Sequence, residues 1–280
     1  MVGPREKFKL AFSLVVQDDA SALRVIESIH AAGFQGIEPT FGLESTLPTA
    51  ADPAASAAKL RTIADRVGLK IPSMRGGPGF WSTFASDDAA KRKSAVALAA
   101  KALDAVKAMG GDTLLIVPGQ WEPHQTYAGV WDNALDTARR IAELAEKANV
   151  NVGLENVENR FLLSPREWMQ FLDEVGSPRV RMYFDVGNVV YLRLGHPEQW
   201  IRQLGKKYIS RIHFKDAGVG GPLTYLLEGA VNWPAVREAL RAIGYDDWIG
   251  IELNLPVHHP GAMLAGTYRA AEQILAGERP

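Results

Sequence analysis

Four short apolar runs in this sequence end on a group that could bind a cation or move a proton. They are Gly153-Leu154-Glu155-Asn156, Tyr183-Phe184-Asp185, Arg211-Ile212-His213 and Gly250-Ile251-Glu252. A carboxylate buried at the end of such a run without a partner costs several kcal/mol. Four such groups drawn to one place need a shared positive partner, and a divalent cation is the natural one. Three carboxylates and an imidazole are a hard, oxygen-rich set that suits Mn²⁺ best, with Mg²⁺, Co²⁺ or Zn²⁺ as alternatives. Glu155, Asp185, His213 and Glu252 would leave two positions of an octahedron for adjacent oxygens of a sugar. Taken singly, each could instead be a salt-bridge partner or a loop cap.

Other residues could complete such a site. Arg75 precedes Gly76-Gly77, where a guanidinium and backbone amides could meet a hydroxylated or anionic substrate; a surface ion pair is the plainer role. Trp81 and Trp121 could stack on a sugar face, or serve as core. Glu122 and His124 share a loop with Trp121 and read as solvated. Lys215 could neutralise developing negative charge or touch a phosphate, or simply pair with Asp216 or another acid. Arg160 could also reach a phosphate. His258-His259 reads as loop or subunit contact.

The elements that must position these groups alternate in type. Eight β-branched or aromatic runs occur at Lys9–Val15, Gly36–Pro39, Lys70–Met74, Asp112–Val117, Asn151–Asn156, Val180–Val186, Ile209–Lys215 and Trp248–Leu253. Between them lie helical patterns. Ala20–Ala32 puts Leu23, Ile26 and Ile29 on one face, and Ala54–Val67 does the same with Ala58, Leu60, Ile63 and Ala64. Lys91–Met109 and Tyr127–Ala148 are longer and rich in helix formers. Gly33, Gly68, Gly110, Gly176 and Gly244 sit where helices should stop. Ser164-Pro165-Arg166-Glu167 is a helix start, with a capping Ser, Pro in the first turn and Glu three residues on. Strict alternation predicts a parallel sheet, and eight units with no Gly-rich dinucleotide turn predict an α/β fold closed as a (β/α)₈ TIM barrel over one domain, residues 1–280. Such barrels carry their sites at the carboxyl ends of the strands, where Glu155, Asp185, His213 and Glu252 fall.

Composition narrows the partners. The 280 residues carry 31 Lys+Arg against 32 Asp+Glu, a net charge of −1 with no basic cluster, which argues against nucleic acid. With no Cys, disulfides and thiolate metal sites are excluded. No run approaches the ~20 apolar residues of a membrane span. The start, MVGPREKFKLAFSLV, reads as a first strand rather than a leader, so the expected location is cytoplasmic.

The segments Glu155-Asn156-Val157-Glu158-Asn159-Arg160-Phe161, Phe184-Asp185-Val186-Gly187-Asn188, His213-Phe214-Lys215-Asp216 and Ile251-Glu252-Leu253 together resemble the xylose isomerase-like sugar phosphate isomerase/epimerase superfamily. The resemblance runs through Gly79-Phe80-Trp81, Val117-Pro118-Gly119, Pro197-Glu198-Gln199-Trp200 and Glu228-Gly229-Ala230-Val231-Asn232-Trp233. By motif it is nearest to L-ribulose- and xylulose-5-phosphate 3-epimerases, with D-tagatose 3-epimerase further off. It implies that Glu155, Asp185, His213 and Glu252 hold the metal and that Glu155 and Glu252 also move protons. A cation chelated by a carbonyl oxygen and its neighbouring hydroxyl stabilises the cis-enediolate left when a C–H proton departs. Return of the proton on the other face inverts the carbon; return at the adjacent carbon isomerises the sugar.

Two positions depart from the D-tagatose 3-epimerase branch. Asn188 stands where that branch has His, and can bond a hydroxyl but not act as an acid. Gly218-Val219-Gly220 replaces a region that carries a substrate-binding Arg. Glu158 could match a family Glu that follows the strand-five ligand. The resemblance further implies a carbohydrate substrate and a homo-oligomer, dimer or tetramer. Competing readings are a lyase or dehydratase using the same enolate on a keto-sugar or inosose, a DNA-repair enzyme of the endonuclease IV type, and a carbohydrate-binding protein without catalysis. The endonuclease needs three metals and more than the six His present.

Overall fold

Each of the eight runs forms a strand, though most end a residue or two early. The structure, a computed structural model, describes residues 8–254 and 260–277. The strands are β1 (Lys9–Leu14), β2 (Gly36–Pro39), β3 (Ser73–Arg75), β4 (Thr113–Ile116), β5 (Asn151–Glu155), β6 (Val180–Asp185), β7 (Ile209–Phe214) and β8 (Trp248–Ile251). They pair in parallel in the order β2-β1-β8-β7-β6-β5-β4-β3. Isolated parallel bridges, Gly36 to Lys70 and Thr40 to Arg75, join the two outer strands and nearly close the barrel. The third run was expected from Lys70, but Pro72 lacks an N–H for the ladder, so regular pairing begins only at Ser73.

Helices α1 (Ser21–Ala31), α2 (Pro53–Val67), α3 (Ala89–Met109), α4 (Tyr127–Ala148), α5 (Pro165–Val175), α6 (Val186–Tyr191), α7 (Pro197–Tyr208), α8 (Trp233–Ala242) and α9 (Pro260–Ala276) follow the strands. Ser164 caps its helix as expected, and four further starts are capped by residues that had not been singled out. Asp52, Asp88, Thr126, Ser164 and Asn232 each accept a backbone N–H from the first turn. Gly68, Gly110 and Gly176 end their helices in the left-handed conformation. In α2, Ala58 faces solvent and Ala57 takes the buried place, because a residue two short of Leu60 lies on the opposite side of a helix.

The core has two layers. Phe12, Met74, Leu114, Met182, Phe184 and Ile212 are buried on the strands, and helix faces such as Trp168, Phe171 and Leu172 of α5 pack outside. Burying each such side chain contributes roughly 1.5–3 kcal/mol. No helix among the described residues is long and apolar enough to cross a membrane. The sequence did not announce two short ribbons: Val16–Gln17 with Thr46–Leu47, and Asp216–Ala217 with Leu223–Thr224. The second overhangs the carboxyl end of the barrel.

Candidate metal centre and active site

The parallel register aligns the chemistry. Asp185 is level with His213 across β6–β7, and His213 is level with Gly250 across β7–β8. Gly250 is required there: a Cβ would lie 2.6 Å from Cδ2 of His213, so the imidazole rests directly on the β8 backbone. One ligand atom each from Glu155, Asp185, His213 and Glu252 lies within 4.8 Å of the others. Opposite ligands of a small divalent ion stand about 4.2 Å apart, so a contraction of a few tenths of an ångström would complete the set. Asp185, His213 and Glu155 are buried and Glu252 is half-buried.

These side chains are short of positive charge. Nδ1 of His213 lies 3.1 Å from Oε1 of Glu155 and 3.7 Å from Oε2 of Glu252. Oδ2 of Asp185 is buried and accepts no hydrogen bond, though the Lys215 ammonium stands 3.1 Å away. Burial, reinforced by the charge of Glu252, pushes Glu155 up to about 7, and burial also raises Asp185. Glu252 goes the other way. Burial works against its ionisation, but Lys215, His213 and Arg75 outweigh it and hold Glu252 well below the usual carboxylate range. Crowded acids of which one is driven toward neutrality, and a buried carboxylate oxygen of Asp185 that accepts no hydrogen bond, fit a cation of the hard class predicted from the donor types.

Lys215 supplies part of that charge. Its Nζ lies 3.1 Å from Oδ2 of Asp185 and 2.5 Å from Oε2 of Glu252. Of the ion pairs left open from the sequence, it makes the one with other acids, Asp185 and Glu252, and not the one with Asp216. Asp216 turns away and accepts from the backbone N–H groups of Ala217, Leu227 and Val231 and from Nε1 of Trp233, at 2.8–3.2 Å. Four donors from residues 217–233 thereby converge on one buried carboxylate and anchor the overhanging loop. Arg75 donates to Oε1 of Glu252 at 2.7 Å, so its partner is a candidate ligand and not a surface acid.

A cavity of about 820 Å³ opens above these groups. Ser13, Arg75, Lys215 and Glu252 line its floor, and Tyr225 and Glu228 of the overhanging loop line its side. Of the residues expected to touch substrate, Arg75 and Lys215 therefore border the cavity. Trp81, Trp121, Glu158 and Arg160 do not. Glu158 and Arg160 are exposed. Trp121 packs edge-on against Tyr127 and donates Nε1 to the Gln125 carbonyl, a structural use of the ring. Asn188 is buried; its amide donates to the Asn156 carbonyl and its oxygen accepts from Lys215 at 3.4 Å. Its role in the structure is to steady Lys215 and the β5 terminus. His124 is exposed beside Asp87, Glu122 is half-buried, and His258 and His259 lie outside the described residues.

Two positioning groups escaped the sequence reading. Asn156 pairs its side-chain amide with both backbone groups of Asp185, at 2.8 and 2.9 Å, tying the ends of β5 and β6 together. Glu38 of β2 is fully buried and contacts Nε2 of His213 at 2.6 Å. It also accepts from Ser13, Ser73 and Tyr183. Burial opposes its ionisation, yet the His213 charge and these bonds draw it down to about 2. The signal was present in Gly36-Ile37-Glu38-Pro39: an acid ending an apolar run, as in the four that were singled out.

Known proteins share this architecture. An uncharacterised protein of Methanocaldococcus jannaschii is 27% identical over 171 residues, 58% of this chain and 57% of its own. An inosose dehydratase of Geobacillus thermodenitrificans is 21% identical over 140 residues, 44% of this chain and 46% of its own. The chain thus spans about half the length of these two relatives. A 2-epi-5-epi-valiolone 7-phosphate 2-epimerase of Actinoplanes is 28% identical over 198 residues, 70% of this chain and 67% of its own. Among solved structures, a D-tagatose 3-epimerase-like protein superposes with a TM-score of 0.81 at 20% identity, covering 96% of this chain and 97% of that one. An L-ribulose 3-epimerase gives 0.78 at 18%, covering 96% and 95%. The family described as Xylose isomerase-like TIM barrel matches residues 26–271, from within α1 into α9. Barrel order, strand-end chemistry and this match agree: the chain belongs to the xylose isomerase-like TIM barrel family.

Proposed function

We propose that this chain is a divalent-metal-dependent epimerase or isomerase of ketoses or their phosphates, with 3-epimerisation of a ketose the reaction the site supports best. The observation that carries it is the pair Glu155 and Glu252, which come from the ends of two different strands and both approach Nδ1 of His213, at 3.1 and 3.7 Å, so that two carboxylates flank the place where an ion and a ketose would meet. Two carboxylates converging on one reacting carbon suit one to take a proton and the other to give one.

Glu155, Asp185, His213 and Glu252 would hold the ion, Mn²⁺ by preference. When bound it would supply Lewis-acid polarisation of a ketose carbonyl and its neighbouring hydroxyl. Glu252 removes the proton from the carbon beside the carbonyl, and Glu155 returns one from its own side. Lys215 and Arg75 offset the negative charge that passes from Glu252 to the substrate oxygens as the proton moves. Tyr225 and Glu228 bound the cavity toward the rest of the sugar. The solved ketose epimerases support this reading through their fold, and the valiolone phosphate epimerase does so through its sequence.

The test is incubation of metal-free and Mn²⁺-loaded protein with a panel of ketoses and ketose phosphates in D₂O. Metal-dependent deuterium at C3 with formation of the epimer is expected, and Glu155→Gln and Glu252→Gln should each lose roughly 10²–10⁴-fold in rate. An unsaturated, ultraviolet-absorbing product would replace this reading with the lyase. Full turnover by either variant, or by chelated protein, would dismiss it.

A further inference from the structure

Glu38 stands apart from the cavity, buried in the barrel beneath the ion site, and its two oxygens receive four donors from four other strands. Oε2 lies 2.6 Å from Nε2 of His213 on β7 and accepts from Oγ of Ser13 on β1 at 2.9 Å. Oε1 accepts from Oγ of Ser73 on β3 and from the Tyr183 hydroxyl on β6, each at 2.6 Å. A charge so far from water persists only when it is bonded on every side. This one is, at the cost of five polar side chains in a barrel interior that apolar residues could fill.

We infer that Glu38 is a positioning residue that fixes His213 for metal binding: with the ion bound it keeps the proton on Nε2 and leaves Nδ1, turned toward Glu155 and Glu252, free to ligate. A neutral imidazole has one N–H and one lone pair, and the hydrogen bond at one nitrogen decides which atom can ligate. An ionised carboxylate can only accept, so the nitrogen facing Glu38 must carry the proton. The ring cannot escape by turning over. A half-turn about its bond to Cβ would set Cε1 against Glu38 and Cδ2 against Glu155, losing both contacts. The Tyr183 ring at 4.5 Å and the Gly250 backbone hold it on two further sides.

The inference rests on the ion-site reading, so both are tested on the same protein. Mn²⁺ binding is measured by calorimetry on the wild type, Glu38→Gln and Ser73→Ala. The His213 ring is then observed by ¹⁵N–¹H correlation in the diamagnetic Zn²⁺-loaded protein. Glu38→Gln keeps the size of the side chain but makes one of its ends a donor; affinity should fall roughly 10–100-fold. Ser73→Ala removes a donor and leaves the Glu38–His213 contact, so it should melt lower while keeping its affinity within about 3-fold. A purely structural Glu38 would lower the melting temperature in both variants and the affinity in neither, which would overturn the inference. If Glu38→Gln does not fold, the loaded wild type still decides: protonated Nε2 with bare Nδ1 is expected, and the reverse overturns it. A wild type that binds no Mn²⁺ dismisses the ion site and this inference together, whereas normal binding by both wild type and Glu38→Gln dismisses only the inference.

Discussion

The Lys215 ammonium lies 2.5 Å from Oε2 of Glu252, inside the cluster of groups that could hold a metal. Lys215 is raised further above its ordinary value; burial opposes this, but the charges of Asp185 and Glu252 outweigh it. The chain therefore carries a cation of its own against the same carboxylates a divalent ion would use. An arriving ion must share them with Lys215 or displace it.

Replacing Lys215 by Met separates these roles. Without an ion, Asp185 and Glu252 lose their main counter-charge, and breaking a buried pair in this way costs roughly 3–5 kcal/mol. The metal-free variant should melt well below the wild type. With Mn²⁺ added, the competitor is gone and the affinity should be higher than in the wild type. Calorimetry showing weaker Mn²⁺ binding by Lys215→Met would mean that the ammonium assists the ion.

Stability of the metal-free chain should pass through a maximum with pH. Glu38, drawn from 4.5 to about 2, contributes stability that is fully present above pH 4.5 and lost as pH falls toward 2, about 3 kcal/mol in all. The His213 side of that attraction is the same energy and is not added again. Glu155 has the opposite sign. Raised from 4.5 to about 7, it binds more protons folded than unfolded across that window, so stability falls as pH rises through it. Denaturant titrations from pH 3 to 8 should place the optimum of the metal-free chain on the acid side of neutrality. An optimum at pH 8 without metal would contradict the burial of Glu155.

Loading with Mn²⁺ should move that optimum upward, because a cation beside Glu155 removes the penalty for ionising it. At free ion 100-fold above Kd the folded state gains about 2.7 kcal/mol. Thermal melts with and without chelator, at pH 5 and at pH 7.5, measure this directly. The gain should be larger at pH 7.5, since at pH 5 the ion must displace protons from Glu155. Equal shifts at both pH values would place the bound ion elsewhere.

Patterns one strand or one helix long carried the barrel, while side chains that answer to distant partners were illegible. The β-branched runs and their glycine and proline punctuation are local signals, so eight strands and the cap at Ser164 could be read in order. Glu155, Asp185, His213 and Glu252 were visible because the barrel gathers strand ends wherever they occur in the chain. Glu38 also ends an apolar run and could have been noticed there, but its role could not be read, since that lies in contacts with Ser73, Tyr183 and His213, 35, 145 and 175 residues away. Trp121, left open between a sugar wall and core, is packed against the core for the converse reason. An aromatic in a loop after a strand suggests a wall, but the Tyr127 ring and the Gln125 carbonyl next to it had already engaged it.

Asp216 offers a way to disturb the substrate end of the site while leaving the ion end alone. Its carboxylate accepts from Ala217, Leu227, Val231 and Trp233, and it makes none of the contacts of the Glu155–Glu252 cluster. Asn in its place would turn an NH₂ toward donors, leaving at least one buried N–H unmatched at a cost of roughly 1–3 kcal/mol. The segment most directly affected is the overhang bearing Tyr225 and Glu228, which line the cavity. Asp216→Asn should therefore raise KM for the sugar several-fold and quicken hydrogen exchange at Leu227 and Val231, with Mn²⁺ affinity unchanged. Loss of metal affinity in parallel with KM would show that the loop and the ion site stand or fall together.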